Sequence, residues 1–317
     1  MNPKKKIFYL GVEGGATKST AMLVDEREIA IAQNKGGPLN YHGIGIATTG
    51  KNLRQLLRPI CKKANDAKII AVLGLAGLDT EKDRGVYEKI VKAVLPSNSL
   101  WQVVNDAETA LELRCQNDSM PRILAISGTG SSILGEYKGK KAKSIGWDYI
   151  FGDEGSGYEV GLKILKTAAK SWDGRNKKSI LEKIVLQQTK IPTMEKLIAA
   201  TYQRISQNPN ATKQYIASFS QYLDQALKRN DWAAKQIRKE TAQELVRGIE
   251  AVIRNLHIQK KAFCLGFMGS VWNMQGLKAL VQKRIKQLYP KVQFSSNNDE
   301  GVWGAILLAR KLSSSLY

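Results

Sequence analysis

An aspartate that follows a buried strand is the residue of this sequence best placed to accept a proton. The segment from Trp101 to Val104 reads as a strand, Asn105 and Asp106 follow it, and a helix begins at Ala107. Ligands of open α/β sheets lie beyond the carboxyl ends of the strands, so Asp106 is expected to face a ligand and to accept a hydroxyl proton. The alternative is a helix N-cap, a role that either Asn105 or Asp106 could fill.

Two glycine-rich turns could hold phosphate groups through their backbone amides. The first runs from Gly11 to Ser19 and the second from Ser127 to Ser131. Small residues let amides approach an anion closely, and successive amides in a turn form an anion-binding nest. Val12 and Thr17 stand where a Walker A loop needs glycine, and Ile133 replaces the third glycine of a dinucleotide fingerprint. A plain hairpin therefore stays an alternative for each turn.

A third stretch, Gly146 to Gly157, sets aromatic, acidic and hydroxyl residues among glycines just before a helix. Such a loop could close over a polyhydroxylated ligand, with Asp153 accepting hydrogen bonds from its hydroxyl groups. The alternative is an Asx turn that leads into the helix.

The elements that must position these residues alternate between strands and helices, which indicates the α/β class. A hairpin opens the chain, and buried strands then alternate with helices up to Ala107. The pattern begins again with a strand from Arg122 to Ile126, so two related halves are expected. Long helical segments after Gly157, among them one from Thr212 to Lys228, predict a helical layer within or on the second half. A closing helix is expected from Trp303 to Leu312.

Composition restricts the function further. The 317 residues are 43% hydrophobic and lack both an apolar segment long enough for a membrane span and a signal peptide, so a cytoplasmic protein is expected. The net charge of +21 could attract nucleic acid or anionic substrates, but the basic residues are dispersed along amphipathic segments, which favours a solvated surface. Two histidines and three scattered cysteines predict that any metal is held by oxygen ligands, which favours magnesium.

Taken in order along the chain, these motifs resemble one family. The SGTGS turn at 127–131, followed by Gly146, Trp147 and the GDEGSGY stretch at 152–158, is the most specific part. The whole set is similar to the N-acetylglucosamine kinase-like members of the BadF/BadG/BcrA/BcrD ATPase family, within the actin-like ATPase superfamily. The resemblance spans Tyr9 to Ala309. A late turn at Gly269 and Ser270 also matches, and in the family this turn contacts the adenosine.

The resemblance implies two ribonuclease-H-like domains with a nucleotide cleft between them and extra helices in the second domain. Residues 1–117 would form the first domain and 118–317 the larger second one, with the last helix, at about 300–313, packing near the first. It further implies a catalytic base, a magnesium-positioning carboxylate, an ATP site and a sugar site. The catalytic base would be Asp106, and the magnesium-positioning carboxylate would be Glu13. The ATP site would consist of Gly14, Gly15, Thr17, Lys18, Gly128, Thr129, Gly130, Ser131, Gly269 and Ser270. The sugar site would consist of Asn40, Asp106, Thr129, Trp147 and Asp153.

The implied activity is ATP-dependent phosphorylation of an amino sugar at its 6-hydroxyl. N-acetylglucosamine is the first choice, with glucosamine and N-acetylmuramic acid as related substrates. ATP, Mg²⁺ and the sugar would be the partners, without nucleic acid or membrane, and a homodimer is left open. A sugar- or nucleotide-binding regulator of the same fold is the alternative, because Glu13 stands where the family usually has aspartate. One added methylene moves the carboxylate by ~1.5 Å, a large step for the octahedral geometry of Mg²⁺.

Overall fold

The computed structural model describes residues 6–65, 67–208, 211–297 and 299–314. The chain divides into two compact units, one formed by Met1–Gln116 with Ser296–Tyr317 and the other by Asn117–Ser295. The sequence placed the closing helix in the second domain but packing near the first. In the structure this helix belongs to the first unit, and the second unit therefore ends at Ser295.

The first unit is one five-stranded sheet with helices. Its elements in chain order are β1 (Ile7–Gly14), β2 (Ser19–Val24), β3 (Ala30–Gly36), α1 (Tyr41–Ile44), α2 (Ile46–Ala64), β4 (Lys68–Leu75), α3 (Glu81–Lys92), β5 (Leu100–Asn105), α4 (Asp106–Arg114) and, from the end of the chain, α13 (Val302–Ser314).

The second unit has the same kind of sheet and more helices. Its elements are β6 (Arg122–Ser127), β7 (Ser131–Tyr137), β8 (Lys140–Ser144), α5 (Asp148–Phe151), α6 (Gly157–Trp172), α7 (Ile180–Thr189), α8 (Met194–Gln207), α9 (Thr212–Ser218), α10 (Leu223–Lys228), α11 (Trp232–Asn255), β9 (Phe263–Met268), α12 (Leu277–Leu288) and β10 (Val292–Phe294). Short 3-10 segments cover Phe219–Tyr222 and Ser270–Asn273.

The two sheets share one topology, which confirms the two related halves expected from the sequence. The strand order is β3-β2-β1-β4-β5 in the first unit and β8-β7-β6-β9-β10 in the second. In each sheet the first three strands are antiparallel neighbours, and the first strand then pairs in parallel with the fourth. The carboxyl ends of the parallel strands thus lie at one edge of each sheet, where α/β proteins hold ligands.

Apolar packing covers both faces of the first sheet. One face packs under α2 and α3 through residues such as Leu57 and Tyr87, while the other packs under α13 through Val302 and Ile306. Parallel strands need this double coverage, and it explains why β4 reads as an unbroken apolar run. Burial of α13 against β1 and β4 therefore ties the end of the chain to the sheet that carries Glu13.

The helical layer predicted for the second unit is present between β8 and β9, with corrections of detail. The segment from Thr212 to Lys228, expected as one helix, is two helices joined by the 3-10 segment. The helices α2, α8 and α12, the four-residue helices α1 and α5, and the strands β3, β8 and β10 were not predicted. Among the described residues, no helix is long and apolar enough to cross a membrane.

Candidate functional site

Asp106 is the first residue of α4 and is not its cap. Asn105 is the N-cap: its side-chain oxygen accepts a hydrogen bond from the amide of Ala107 at 2.9 Å, and Glu108 completes a capping box. The Asn105 amide also donates to the Leu78 carbonyl at 3.1 Å, which fixes its orientation. Of the two roles that the sequence left open for Asp106, the structure removes the capping one. Its carboxylate is therefore available for other chemistry.

The surroundings of Asp106 make its carboxyl group a stronger proton acceptor than usual. Burial is the main cause, and together with the negative charges of Asp79 and Glu13 it raises the pKa of Asp106 to about 6, against a partial lowering by the amide of Ala107. A base with a pKa near the working pH combines availability with proton affinity. Asp79, on the loop after β4, was not singled out by sequence reasoning.

Asn40 lies beside the same loop of the first unit. Its side-chain oxygen caps α1 by accepting from the amide of His42 at 3.0 Å. A Cβ on Gly77 would lie 2.7 Å from that oxygen, and Gly77 has a φ of 81°, so glycine is needed there for both space and backbone conformation. Asn40, Gly77, Asp79 and Asn105 are thus grouped beyond the ends of β4 and β5, on the Asp106 side of the sheet.

The first glycine turn joins β1 and β2 as a hairpin, and its predicted phosphate residues occupy different environments. Gly14 is buried, with a Cβ position only 2.6 Å from the Leu75 side chain, and the Gly15 amide donates to the Lys18 carbonyl at 3.0 Å. Thr17 and Lys18 are exposed at the tip. The turn is therefore fixed at its base and presents a hydroxyl and an ammonium group to solvent.

Glu13 precedes this turn and points its carboxylate toward the segment before α13. Burial has the largest effect on the group; together with the charge of Glu300 it raises the pKa of Glu13, although Lys18 and Arg114 act to lower it. The guanidinium of Arg114, at the end of α4, donates to the Asn297 carbonyl at 2.6 Å, and this hydrogen bond ties the segment before α13 to α4. A partly buried carboxylate held among charges of both signs is suited to a cation ligand role.

The second glycine turn is anchored to the start of α6. The Gly157 and Tyr158 amides donate to the carbonyls of Gly128 and Thr129 at 2.7 and 3.1 Å. Within the turn, the Gly128 amide donates to the Gly130 carbonyl at 2.8 Å. Thr129 is exposed, so its side chain is free of the packing that fixes the backbone.

The loop that precedes α6 supplies two further anchors to this turn. The hydroxyl of Ser131 donates to the Glu154 carbonyl, and that of Ser127 donates to the Gly155 carbonyl, both at 2.7 Å. The GDEGSGY stretch and the SGTGS turn therefore form one hydrogen-bonded assembly within the second unit.

Asp153 joins that assembly and does not form the Asx turn considered from the sequence. Its Oδ1 accepts from the Ser131 amide at 3.3 Å, and its Oδ2 lies 2.6 Å from the ammonium of Lys213. Ser156, and not Asp153, caps α6. The predicted sugar ligand Trp147 lies a few residues earlier and is 58% exposed.

Gly269 places the predicted adenosine turn directly against the second glycine turn. Its φ is 109°, and a Cβ there would lie 2.5 Å from the Ser127 carbonyl carbon and 2.9 Å from the Gly128 amide nitrogen. Ser270, which follows, is exposed and begins the 3-10 segment. Within the second unit the structure therefore groups Gly128, Gly130, Ser131, Asp153 and Gly269, while the side chains of Thr129, Trp147 and Ser270 are exposed.

Three residues that sequence reasoning missed border these groups. Asp79 and Gly301 lie beside Asp106 and Glu13, and Lys213 lies beside Asp153. Asp79 follows a buried strand and Gly77, the same signal that singled out Asp106, and could have been found by it. Gly301 and Lys213 carry no local signal because their partners are distant in sequence.

The repeated strand order and the glycine turns at the sheet edges define an α/β protein built from two mixed sheets of the same topology. The chain belongs to the BadF/BadG/BcrA/BcrD ATPase family, whose model matches residues 10–309. It is 32% identical over 309 residues to the N-acetylmuramic acid/N-acetylglucosamine kinase of Clostridium acetobutylicum, covering 96% of this chain and 98% of that protein.

Two further proteins show the same relationship in sequence and in fold. The N-acetyl-D-glucosamine kinase of Dictyostelium discoideum is 28% identical over 317 residues, covering 96% of this chain and 98% of the relative. The crystal structure of a proposed N-acetylglucosamine kinase from Chromobacterium violaceum matches with a TM-score of 0.74 at 22% identity, covering 97% of this chain and all of that one. The two-sheet fold expected from the sequence is therefore confirmed.

Proposed function

We propose that this protein is an ATP-dependent amino-sugar kinase that phosphorylates the 6-hydroxyl of N-acetylglucosamine or a related amino sugar. Membership of the family and the names of its sequence relatives support the reaction class. The observation that carries the proposal is the state of Asp106, a carboxylate released from capping by Asn105 and held at a pKa of about 6.

In the proposed reaction, Asp106 accepts the proton of the sugar 6-hydroxyl as that oxygen attacks the γ-phosphorus of ATP. A new bond forms between phosphorus and the sugar oxygen, the bond between phosphorus and the β–γ bridging oxygen breaks, and ADP leaves. Phosphoryl transfer depends on alignment and charge neutralisation more than on covalent chemistry from the protein. A single well-placed carboxylate is therefore sufficient as the reacting side chain.

Besides Asp106, the sugar is assigned one further group from the first unit and three from the second. Asn40 offers an amide fixed by its contact with His42, and Asp153 offers a carboxylate held by Ser131 and Lys213. Thr129 adds an exposed hydroxyl, and the exposed ring of Trp147 can stack on the apolar face of a pyranose. These chemical types match a ligand with several hydroxyl groups and an acetamido group.

The nucleotide is assigned the glycine turns. The phosphates would lie against Gly14, Gly15, Thr17 and Lys18 of the first unit and Gly128, Thr129, Gly130 and Ser131 of the second. The donors would be the exposed hydroxyls of Thr17 and Thr129 and the Lys18 ammonium. The amides of Gly15 and Gly128 are already paired with the Lys18 and Gly130 carbonyls and shape the turns. Gly269 and Ser270 are assigned to the adenosine. The hydrogen bonds that anchor the second turn keep its backbone in place before ATP binds, which reduces the ordering cost of binding.

Glu13 fits the role of a Mg²⁺ ligand or of an acceptor for a Mg²⁺-bound water. Among the described residues, no group of three or more histidine, cysteine, aspartate or glutamate side chains could hold a metal. Mg²⁺ usually keeps several waters and is bound through one or two carboxylates and the substrate phosphates, a role that the Glu13 carboxylate beside the first glycine turn could fill. Bound Mg²⁺ would neutralise phosphate charge, and the partly buried Glu13 carboxylate is the group of this chain that would orient it.

The test is an ADP-release assay with Mg²⁺ and a panel containing N-acetylglucosamine, glucosamine, N-acetylmuramic acid and 6-deoxy-N-acetylglucosamine. We expect stimulation by at least one 6-hydroxyl sugar and none by the 6-deoxy sugar, with a sugar 6-phosphate identified by ³¹P NMR. Asp106→Asn should lower kcat by ~10²- to 10⁴-fold and leave sugar affinity nearly unchanged. The matched control, Glu88→Gln, neutralises an exposed acid on α3 of the same unit and should behave as wild type. Lack of stimulation by every sugar would overturn the proposal.

A further inference from the structure

Lys213, in the first turn of α9, bridges two carboxylates of the loop that leads into α6. Its ammonium nitrogen lies 2.7 Å from Asp148 Oδ1 and 2.6 Å from Asp153 Oδ2. The lysine side chain is 28% exposed, whereas that of Asp153 is 4% exposed and that of Asp148 is 64% exposed. One ammonium thus connects a buried carboxylate to a surface one.

The buried end of this bridge borders the second glycine turn. A Cβ on Gly130 would lie 3.2 Å from both Asp153 Oδ2 and the Lys213 nitrogen. The other oxygen of Asp153 accepts from the Ser131 amide at 3.3 Å. Lys213 therefore compensates the charge of the carboxylate that fixes this turn, and a buried carboxylate without its partner is costly.

The exposed end of the bridge holds a loop with little apolar anchoring. The amides of Gly146 and Trp147 both donate to the Gly152 carbonyl, at 2.6 and 3.0 Å, which closes the loop on itself. Ile150 and Phe151 are 73% and 84% exposed, and α5 contains no buried residue. Burial of side chains therefore contributes little to the position of this loop.

Contacts with α6 and α9 tie the loop to the helices of the second unit, and among them the Lys213 ammonium lies 6.0 Å from the centre of the Tyr149 ring. The Tyr149 ring lies 5.0 Å from the Tyr158 ring on α6, and Asp148 pairs with Lys213 on α9. Asp148 has a φ of 67°, a left-handed conformation that aspartate adopts more readily than most residues because its side chain can bond locally. Its Oδ1 accepts from the Tyr149 amide at 2.8 Å as well as from Lys213.

We propose that Lys213 is a positioning residue that sets where the loop from Gly146 to Gly152 lies relative to Asp153, and thereby sets affinity for the sugar. The inference rests on the proposed function, since Trp147 on this loop and Asp153 at the end of the bridge are two of the proposed sugar ligands. Burial acts to lower the pKa of Lys213, but its bonds to Asp148 and Asp153 raise it overall, so the bridging group stays charged.

The bridge is tested with Lys213→Met, Lys213→Arg and Asp148→Asn in the full chain. The first readout is chymotrypsin cleavage after Tyr149 or Phe151, located by mass spectrometry without any ligand. The second is the dissociation constant of N-acetylglucosamine, measured by calorimetry without nucleotide. Lys196→Met is the control, because Lys196 is an exposed lysine on α8 of the same unit.

We expect Lys213→Met and Asp148→Asn to speed loop cleavage and to weaken sugar binding by about tenfold, or ~1.4 kcal/mol. Lys213→Arg should restore both values to within about threefold of wild type, because arginine can pair with two carboxylates. Unchanged cleavage in both Lys213→Met and Asp148→Asn would overturn the proposal, as would loss of sugar affinity in Lys213→Met alone. If wild type binds no amino sugar, the proposed function fails while cleavage still tests the bridge.

Discussion

The carboxylate of Glu13 packs directly against the backbone of Gly301. A Cβ built on Gly301 would lie 2.5 Å from Glu13 Cδ and 2.8 Å from Oε2, closer than atoms in van der Waals contact. The segment before α13 therefore leaves space for the longer acid at a position where aspartate is usual in the family. Gly301 and Glu13 are 288 positions apart, and only the packing of α13 against β1 brings them together.

Gly301→Ala should displace the Glu13 carboxylate with little loss of fold stability, because the end of a flexible side chain can rotate away. We expect the dissociation constant of Mn²⁺·ADP, measured by electron paramagnetic resonance, to rise about tenfold. In a Glu13→Asp background the shorter side chain holds the carboxylate ~1.5 Å further from the new Cβ. Gly301→Ala should then change the dissociation constant of Mn²⁺·ADP by less than about threefold.

Gly85→Ala on α3 is the control, since a Cβ there meets no atom within 4 Å. An equal effect of Gly301→Ala on Mn²⁺·ADP binding with and without the Glu13→Asp substitution would show that Gly301 acts independently of the carboxylate.

The pH dependence of turnover should report the ionisation of Asp106. Burial raises the pKa of this carboxyl to about 6, and the base acts only when deprotonated. We therefore expect kcat/KM for the sugar to fall tenfold per pH unit below about 6 and to level off above it. Asp79→Asn removes a neighbouring negative charge and should move this limb to lower pH. An acid limb that stays in place in Asp79→Asn would contradict the assigned electrostatic coupling.

The raised pKa of Asp106 also means that its ionised form destabilises the folded protein. Because its folded-state pKa of about 6 exceeds the ordinary 3.8, the folded chain holds this proton more tightly than the unfolded chain. The resulting stability is complete below pH 3.8 and is lost as the pH rises through 6. Asp106→Asn cannot ionise, so its free energy of unfolding relative to wild type should increase by about 2 kcal/mol between pH 4 and pH 7. Urea unfolding of both proteins measures this, and a difference independent of pH would contradict it.

Two glycines with positive φ allow the stability cost of backbone strain to be measured apart from the cost of close packing. Gly269, with φ 109°, faces the Ser127 carbonyl and Gly128 amide, whereas Gly174, with φ 83°, has no atom within 4 Å of its Cβ position. Gly174→Ala should cost about 1 kcal/mol, the strain of a left-handed residue with a Cβ. Gly269→Ala should cost several kcal/mol or displace the second glycine turn, with a raised KM for ATP. Equal melting temperatures of the two variants would rule out the packing contribution.

Much of the fold could be predicted because its signals are local. The hairpin at the start of the chain, the buried strand before Asn105 and the second strand–turn unit each follow from apolar runs bounded by glycine or polar residues. Helix α8 was missed, and the helix expected from Thr212 to Lys228 is interrupted by Phe219–Tyr222. Phe219 is buried in the core of the second unit, and tertiary packing there overrides a continuous helical pattern.

The roles of individual polar residues were likewise predicted in part from local sequence and decided in part by the folded structure. Asp106 and Asp153 could be singled out as candidates from the sequence because each stands beside a recognisable turn or strand end. Whether either was a cap depended on its neighbours, and the structure shows Asn105 and Ser156 in the capping roles. Side-chain hydrogen bonds over one turn of helix compete closely, so sequence leaves such choices open.

The amino-acid order alone determined the alternation of strands and helices, the duplicated strand–turn openings and the acids that follow buried strands, because each depends on neighbours within a few residues. Tertiary structure decided which carboxylate is desolvated, which glycine faces Glu13 and which lysine reaches Asp153. Those features depend on burial and on contacts across 60 to 288 positions, as in the pairs Asp153 with Lys213 and Glu13 with Gly301. Electrostatic and steric effects act over a few ångströms in space, and only the folded chain sets those distances.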